Sequence, residues 1–448
     1  MEYHDIQQLL VQPALGDQMH ALMAELYPIC RSITGNGVRD TLRLLQGRIP
    51  LTVHEIPSGQ PVFDWLIPLE WNITEAYIAD VRGRRVVDFA DNNLHVVSYS
   101  RPVRARVSRD DLRQHLHTLP DHPDWIPYRT SYYKEGWGFC VSQRQYDQLS
   151  DPEYEVCIDA TLEHGHLTYG EYVLPGATDE EVLISTHVCH PSLCNDNLSG
   201  IALATWLAQT LKPMSRKYTY RFLFIPGTIG SIAWLARNQG RTAKIRHGLV
   251  LTGVGDAGSV TYKKSRRGNA EIDRAMEYVL AASGQKHKVI EFFPYGYDER
   301  QYCSPGFNLP IGCFMRTPHG QYAEYHTSAD NLNFVQSASM QESFALCLRA
   351  LYIIDNNVTY TSRNPHCEPQ LGKRGLYRTV AGQREGSYNE MALLWVLNLS
   401  DGSHSLLDMV ERAQLPFEKL HGAAEALVQQ GLIHYPGRCT PAQRRRSR

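Results

Sequence analysis

Histidine and acidic residues lie close together in the segment from Glu181 to Gly200, which reads EVLISTHVCHPSLCNDNLSG. The apolar run at its start predicts a strand that ends at His187, and Asp196 comes just before residues that begin a predicted helix. Imidazole and carboxylate groups are ligands for divalent metal ions. In α/β proteins, active sites lie where strands end and helices begin. The segment therefore predicts a metal-dependent enzyme.

Two more ligand-type residues occur later in the chain. The predicted strand HGLVLTGVGD leads to Asp256, and parallel strands end at the same edge of a sheet, so Asp256 is expected near His187. His326 follows in the polar segment AEYHTSADNL. Two imidazoles with two carboxylates form a typical zinc ligand set, and a carboxylate such as Asp196 could bridge two ions.

Other interpretations of the same residues stay open at this point. His187 could be a hydrogen-bonded core histidine, and Asp196 could belong only to the cap of the following helix. Cys189, His190 and Cys194 could suggest a structural zinc site, but such a site needs four ligands and a second cysteine pair of matching spacing is absent. A nucleophilic Cys189 is less favoured, because the sequence places no acidic partner for His190.

The pattern of apolar and polar residues changes along the 448 residues of the sequence. Within residues 1–60, the stretch from Gly16 to about Arg48 carries helical spacing, and residues 174–365 alternate short apolar strands with amphipathic helices. This alternation predicts a mostly parallel sheet flanked by helices. Residues 61–173 show the period-two runs of antiparallel strands. The predicted fold is therefore an α/β domain in two chain segments, with a β-rich domain inserted between them.

The C-terminal region has a third pattern of apolar and polar residues. Residues 366–440 follow the helix and turn order of a winged helix-turn-helix domain, and residues 441–448 form a basic tail. The third predicted helix carries Glu418 and Glu425 against only Lys419, whereas a helix that enters a DNA groove should be basic. We therefore expect a packing or dimerisation module, a homo-oligomer and no nucleic-acid partner.

Composition narrows the classes of protein further. The 45 lysines and arginines nearly balance the 47 aspartates and glutamates, so no broad basic surface is expected. The first residues, MEYHDIQQLLVQ, lack the apolar core of a signal peptide, and no segment has the apolar length of a membrane span. Ten scattered cysteines fit reduced thiols. These features predict a cytoplasmic protein without a membrane partner.

The order of these motifs resembles that of a known group of enzymes, the co-catalytic zinc aminopeptidases. More closely, the whole chain resembles an uncharacterised bacterial family of aminopeptidase-like proteins with an inserted β-rich domain and a C-terminal winged helix. The likeness lies in FDWLIPLEWNI, PYRTSYY, WGFC, LTYGE, STHVCHPSLCNDNLSG, YDERQYCSPG and EYHTSADNL. The resemblance implies a zinc-exopeptidase-like fold and a possible place in polysaccharide or secondary-metabolite biosynthesis.

The resemblance also assigns the candidate ligands. It implies that His187 and Asp256 bind one zinc ion, that His326 binds another, and that Asp196 bridges them. The number of ions, one or two, stays open. The substrate implied is a small molecule or a peptide-like molecule.

One part of the resemblance fails. The peptidases have two glutamates after the strand that follows the helix, one as general base and one as metal ligand, but Gly227 and Thr228 occupy these places here. A general base contributes about 100- to 10,000-fold in rate, so the usual route is in question. Glu324 is the nearest substitute, because on an extended strand it would share a face with His326. Glu171 and Glu299 are further candidates.

The resemblance also implies that the segment YGYDERQY faces the cleft. Asp298 and Glu299 could hold a substrate amino group, and Arg300 could bind a carboxylate or phosphate through its planar guanidinium. A solvated charged loop is the alternative. The aromatic residues Tyr128 and Trp137 are expected in the core of the inserted domain.

Together these features predict a zinc-dependent hydrolase that cuts a terminal amide of a small or modified substrate. The alternative is a catalytically impaired protein of the same fold that binds a metal or ligand, which Gly227 favours. A DNA-binding regulator is a third possibility, weakened by the acidic third helix.

Overall fold

The computed structural model of the protein describes residues 1–10, 12, 14–376 and 388–435. The helices are α1 Tyr3–Leu10, α2 Leu15–Leu26, α3 Asn36–Gln46, α4 Arg109–Gln114, α5 Gln143–Asp147, α6 Ser199–Leu211, α7 Ile229–Arg237, α8 Glu271–Ala282, α9 Glu299–Tyr302, α10 Ser337–Asn356, α11 Glu390–Leu399, α12 Leu406–Ala413 and α13 Phe417–Gln429.

The strands follow the apolar and period-two runs of the sequence. They are β1 Thr52–Pro57, β2 Pro61–Val62, β3 Trp65–Leu66, β4 Glu70–Ala79, β5 Arg85–Asp88, β6 Val103–Ser108, β7 Leu116–His117, β8 Phe139–Cys140, β9 Glu153–Glu163, β10 His166–Leu174, β11 Glu181–His187, β12 Thr219–Ile225, β13 Ile245–Leu251, β14 Val260–Lys263, β15 His287–Ile290, β16 Ile311–Met315, β17 Thr359–Ser362, β18 Asp401–Ser405 and β19 Ile433–His434.

A large central sheet has the strand order β1-β10-β12-β11-β13-β16-β14-β15. Strands β12, β11, β13 and β16 run parallel to one another, with Ile184 between Phe222 and Leu249 in the register. Every residue of β11 is buried, as expected for a parallel strand covered on both faces. The observed sheet, flanked by helices, confirms the predicted mixed α/β fold.

A second sheet, with the order β5-β4-β9-β6, lies in the segment between β1 and β10. Its strands are antiparallel, and β4 pairs with β9 from Glu70 opposite Glu163 to Ala79 opposite Glu155. Strand β10 lies inside the predicted inserted segment 61–173 but belongs to the central sheet. The limits of the inserted domain stay a prediction.

The described part of the chain divides into two compact units, one within residues 8–349 and one formed by residues 1–7, 350–376 and 388–435. In the second unit, α11, α12 and α13 accompany a three-stranded sheet of order β18-β17-β19. Within it, the Tyr352 hydroxyl lies 2.7 Å from Nδ1 of the buried His421. This is the predicted helix order of a winged helix. The predicted basic tail, residues 441–448, lies outside the described residues.

None of the helices among the described residues combines the length and the apolar character that crossing a bilayer requires.

Candidate metal centre

The end of β11 and the start of α6 position the first two candidate ligands. His187 is the last residue of β11, and a single turn, Cys194–Leu198, carries Asp196 into α6. Asn197 fixes this turn, because its Nδ2 donates to Oγ1 of Thr186 at 2.8 Å and its Oδ1 accepts from N–H of Gly200 at 3.2 Å. A larger residue than Gly200 would place Cβ 2.6 Å from the carbonyl oxygen of Leu251, so only glycine allows this approach.

Three imidazoles surround the carboxylate of Asp196. Nε2 of His187 lies 2.8 Å from Oδ1, and Nε2 of His326 lies 3.0 Å from Oδ2. Nδ1 of His190 lies 3.7 Å from Oδ1 and 3.1 Å from Nε2 of His187. One ligand atom from each of His187, His190 and Asp196 lies within 4.8 Å of the other two. The structure therefore brings three of the four predicted ligands together and adds His190.

Burial and charge set the protonation of this cluster. Burial alone would raise the pKa of Asp196, but His190 and His187 beside it hold the pKa well below its usual range. Burial lowers the pKa of His190 to about 3, although the Asp196 charge opposes this shift. The carboxylate is therefore ionised and the His190 imidazole is neutral at neutral pH, which are the forms that bind metal ions.

His190 is a residue that sequence reasoning considered only for a cysteine-containing structural site. In the structure, Sγ of Cys189 accepts the backbone N–H of Gly227 at 3.2 Å, and burial raises the pKa of this thiol to about 12. A protonated thiol is a poor ligand and a poor nucleophile. The spacing of three residues between His187 and His190 was the available signal for the observed cluster.

Asp256, the fourth predicted ligand, has all its observed hydrogen bonds to other groups. It lies in the loop after β13, and its side chain is buried. Oδ1 accepts from N–H of Gly258 at 2.7 Å and from the Thr317 hydroxyl at 2.6 Å. Oδ2 accepts from Nδ2 of Asn195 at 3.0 Å and from N–H of Thr317 at 3.2 Å. Asp256 thus reaches the centre through Asn195 in this structure, and its role as a ligand stays a prediction.

Asp330 fixes the loop that carries Asp196. Its Oδ1 accepts N–H of Asn195 at 2.6 Å, and its Oδ2 accepts N–H of Asp196 at 3.0 Å. The carbonyl oxygen of Asp330 also accepts N–H of Cys194 at 3.0 Å. Burial raises the pKa of Asp330 to about 8. Three consecutive backbone groups therefore depend on one buried residue.

A cavity of about 320 Å³, here called the metal cavity, opens beside the three histidines. Its wall also contains Gly227, Thr228, Tyr297, Asp298 and Arg300. The ring of Tyr297 stacks on that of His187 with 5.0 Å between the centroids. The volume and the mixture of aromatic and charged groups are typical of a site for a small ligand.

Gly227 leaves space in this wall. A Cβ atom at this position would lie 3.4 Å from Sγ of Cys189 and 3.7 Å from Cβ of His187, which are ordinary contacts. The next residue, Thr228, has φ 63° and ψ −69°, a region that branched side chains avoid. The site therefore has room for a side chain where the resemblance predicts a glutamate, beside a strained backbone.

Asp298 fixes this strained residue. Its Oδ1 accepts N–H of Thr228 at 2.7 Å and the Ser231 hydroxyl at 2.8 Å. Its Oδ2 is buried and has no hydrogen-bond partner among the described residues. Burial raises the pKa of Asp298. Arg300 donates from Nη2 to the Thr228 hydroxyl at 3.3 Å, so two of the three predicted substrate-binding residues, Asp298 and Arg300, lie in the cavity wall.

Glu299 is placed differently from these neighbours. Its carboxylate forms a fully buried ion pair with Nζ of Lys263 at 2.7 Å, and it does not line the metal cavity. Lys263 also donates to the carbonyl oxygen of Tyr295 at 2.8 Å. These contacts give Glu299 a structural partner, and its role in substrate binding stays a prediction.

The backbone around Glu324 differs from the extended strand on which this residue was predicted as the base. Residues 323–326 form a turn, and N–H of Thr327 donates to the carbonyl oxygen of Glu324 at 3.1 Å. The expected extended strand is therefore wrong, and Glu324 is not among the residues that line the metal cavity. Glu171, another candidate, pairs with Arg221 at 2.7 Å.

The inserted segment contributes directly to the site. N–H of Tyr128 donates to the carbonyl oxygen of His326 at 2.7 Å, and N–H of Ser328 donates to that of Ile126 at 2.8 Å. The Tyr128 ring packs edge-on against both His190 and His326, with centroid distances of 5.2 and 5.1 Å. Sequence reasoning assigned Tyr128 only to the core of the insert, and nothing local in the sequence indicates this contact.

Comparisons with protein families match most of the chain. Residues 20–357 match the family described as "Domain of unknown function (DUF4910)", and residues 358–435 match a winged helix-turn-helix family. A Clostridium acetobutylicum protein is 51% identical over 418 residues, which cover 93% of this chain and 96% of that protein. It is named for a suggested role in polysaccharide biosynthesis and for an aminopeptidase-like domain.

Solved structures give the same fold. A crystal structure of a suggested peptidase from Clostridium acetobutylicum has a TM-score of 0.90 at 49% identity and covers 96% of this chain and 98% of that one. A zinc aminopeptidase from Bacillus subtilis has a TM-score of 0.55 at 13% identity, covering 76% of this chain and 95% of that one. A peptidase M28 precursor from Shewanella amazonensis has a TM-score of 0.55 at 13% identity, covering 79% and 96%.

Proposed function

This chain belongs to the DUF4910 family and ends in a winged helix-turn-helix module, and from that premise we propose that it is a metal-dependent hydrolase. Its reaction is the cleavage of a terminal amide bond in a small or modified substrate. The observation that carries the proposal is the buried, ionised carboxylate of Asp196 surrounded by His187, His190 and His326 at the wall of the metal cavity.

The geometry of the cluster fits a zinc ion. Ligand atoms at 2.0–2.1 Å from a tetrahedral zinc ion lie about 3.3 Å from one another. The separations among His187, His190 and Asp196 are 2.8, 3.1 and 3.7 Å. We propose that these three residues hold one ion, and that Oδ2 of Asp196 and Nε2 of His326 are placed to hold a second. When bound, zinc polarises a carbonyl group and lowers the pKa of a bound water.

The proposal needs a base in place of the glutamate that is missing at Gly227. We assign this role to Oδ2 of Asp298 in preference to Glu324, because Asp298 lines the metal cavity and this oxygen is buried with no partner among the described residues. A pKa raised by burial makes a carboxylate a stronger base. Asp298 accepts a proton from water, the water oxygen bonds to the carbonyl carbon, and the proton passes to the amine nitrogen as the C–N bond breaks.

The cavity wall suggests how a substrate is held. Arg300 presents a guanidinium with its Nε unpartnered among the described residues, which suits a carboxylate or phosphate on the substrate. Trp65 and Tyr133 pack edge to face at 5.3 Å and line the same cavity, so a flat or ring-shaped group can pack there. Aminoacyl amides and acylated amino sugars both satisfy this description, and the second class accords with the polysaccharide name of the relative.

A protein of the same fold that binds a metal or ligand without turnover is the second candidate. Gly227 favours it, because the base expected from the resemblance is absent. The cytoplasmic location, the homo-oligomer and the packing role of the winged helix stay predictions from the sequence.

One experiment separates these functions. Protein purified without chelators is analysed for metal and then tested with zinc against a panel of aminoacyl amides and acylated amino sugars. We expect about one zinc ion or more per chain and turnover that Asp196→Ala abolishes. Zinc with no turnover would favour the binding protein. No zinc, together with a melting temperature that chelators do not change, would reject the metal centre itself.

A further inference from the structure

A second cavity, here called the basal cavity, lies at the opposite edge of the central sheet. It has a volume of about 740 Å³ and is lined by residues at the starts of four strands, among them Glu180, Tyr218, Ile245 and Pro310. Parallel strands β11, β12, β13 and β16 begin here, whereas His187 ends β11 and Gly227 follows the end of β12. The basal cavity is therefore separate from the metal cavity.

An unpartnered histidine lies in the wall of the basal cavity. His247 is 4% exposed, and neither of its ring nitrogens has a hydrogen-bond partner in the part of the chain that the structure describes. Its ring contacts that of Tyr218 edge-on, at 5.1 Å between centroids. Burial, with Lys217 and Arg246 nearby, lowers the pKa of His247 to about 3, so the imidazole is neutral.

A neutral imidazole presents one donor and one acceptor. Leaving both unused in a buried position costs stability, because buried polar groups are nearly always hydrogen-bonded. A hydroxyl group can serve both kinds of site, since it donates and accepts. The chemistry of His247 therefore fits a ligand that carries hydroxyl groups.

The rest of the lining is suited to an anion. It contains Lys217, Arg246 and Arg267 against Glu180 and Glu271, three basic groups less two acidic ones, an excess of one positive charge. Arg246 and Glu180 pair with each other at 3.0 Å. The guanidinium of Arg267 donates from Nε to the carbonyl oxygen of Asn308 at 2.8 Å. Within the described residues its two Nη groups form no further hydrogen bond, so they can bind an anion.

A helix terminus adds to this positive potential. The first residue of α8, Glu271, and the residue before it, Ala270, both line the basal cavity. The amino end of a helix of this length carries a partial positive charge and favours phosphate groups. The acidic side chain of Glu271 reduces this positive potential. The helix end therefore needs the basic side chains of the cavity to attract a phosphate.

We propose that the basal cavity binds an organic phosphate that carries hydroxyl groups, with the phosphate near Arg267 and the start of α8 and a hydroxyl against His247. Sugar phosphates and nucleoside phosphates share this chemistry. The volume exceeds what an inorganic phosphate ion fills and lies within the range of small-molecule sites. The proposal does not depend on the proposed hydrolase function, since no residue is shared between the two sites.

Calorimetric titration of the full-length protein tests this site. The probes are hexose 6-phosphate, a nucleoside monophosphate, inorganic phosphate and the unphosphorylated hexose. We expect one of the first two to bind, the hexose not to bind, and inorganic phosphate to bind at least about tenfold more weakly. The probe that binds more tightly identifies the source of the phosphate.

Two variants and a matched control place the ligand. Arg267→Gln and His247→Phe should each weaken binding by about tenfold or more. Arg266→Gln should leave it unchanged, because Arg266 is also exposed and also contacts Asn308 but does not line the basal cavity. Arg267→Gln changes an exposed side chain, so it stays informative if His247→Phe fails to fold. Absence of binding by every phosphate, or binding that both variants leave intact, would overturn the proposal.

Discussion

Asp298 accepts the backbone N–H of Thr228 with 2.7 Å between Oδ1 and nitrogen. Its carboxylate therefore lies beside Gly227, the position where the resemblance predicts a glutamate. This hydrogen bond uses one carboxylate oxygen, and the other belongs to a residue in the wall of the metal cavity and has no partner among the described residues. The same residue therefore stabilises a strained turn and presents an unpaired oxygen near the histidines.

Asp298→Asn separates these two roles. Asparagine keeps an oxygen for N–H of Thr228 but loses the carboxylate, so folding and zinc content should be unchanged while kcat falls about 100- to 10,000-fold. The measurement is steady-state turnover with parallel metal analysis. Turnover by the variant within a factor of about two of the parent would assign the proton transfer to another group.

Gly227→Glu should raise activity by about tenfold or more, because the space at this position accepts a side chain and a carboxylate there adds a base. Gly227→Gln is the matched control, equal in size but without the charge, and should show no gain. In the Asp298→Asn background, Gly227→Glu should restore turnover. Equal effects of glutamate and glutamine would mean that the added side chain only fills space.

Asp330→Asn should weaken zinc binding by about 10- to 100-fold, as is usual when a residue that orients a ligand is changed. An amide offers one acceptor, so one of the N–H groups of Asn195 and Asp196 would lose its partner. The measurement is competition with a chromogenic chelator. Asn333→Asp, on an exposed residue of the same segment, should leave the zinc affinity unchanged.

Glu70 makes stability depend on pH. Its carboxylate pairs with Nη1 and Nη2 of Arg39 at 2.6 and 2.7 Å, and chiefly this contact lowers the pKa of Glu70 to about 2. A lowered folded-state pKa stabilises the protein above the unfolded value of 4.5, and this contribution is lost as pH falls toward 2.

Glu70→Gln should therefore lower the free energy of unfolding by about 1–3 kcal/mol at pH 7, and by less as the pH falls from 4.5 to 2. Urea denaturation at several pH values measures this. Glu75→Gln on the same strand removes an exposed pair with Arg85, which solvent screens, and should change stability far less. An equal loss at pH 7 and near pH 2 would contradict the assignment.

Glu299→Gln should lower the free energy of unfolding by about 3–5 kcal/mol, because it leaves the fully buried ammonium of Lys263 without its charge partner. The double variant Glu299→Met with Lys263→Met should recover much of this loss. Thermal unfolding measures both. If Glu299→Gln instead raised KM without changing stability, the substrate-binding role predicted from the sequence would be right.

Local sequence patterns predicted the elements that carry the site better than the contacts within it. The apolar run before His187 and the turn at Asp196 are short-range features, and both were placed correctly. His190 and Tyr128 meet only because the inserted segment packs on the metal centre, a long-range contact that periodicity does not report. Lys263 and Glu299 likewise lie on separate elements, so their pairing has no local signature.

The extended strand predicted for Glu324 and His326 is wrong for a physical reason, because His326 takes φ 56° and the segment turns. Strand β10 has the period-two pattern of an antiparallel strand, and it pairs in this way with β1 and β12 of the central sheet. The periodicity of apolar residues predicts whether a segment forms a helix or a strand, whereas tertiary contacts decide which strands pair with it.

The backbone hydrogen bond from Tyr128 to His326 has a consequence for how this protein can be divided. Excising the inserted segment would leave the carbonyl group of His326 and the N–H group of Ser328 without their partners and expose one face of the histidine cluster. An α/β fragment without residues 61–173 would also lack Trp65 and Tyr133 from the wall of the metal cavity. The smallest unit able to assemble the candidate metal centre therefore includes the insert.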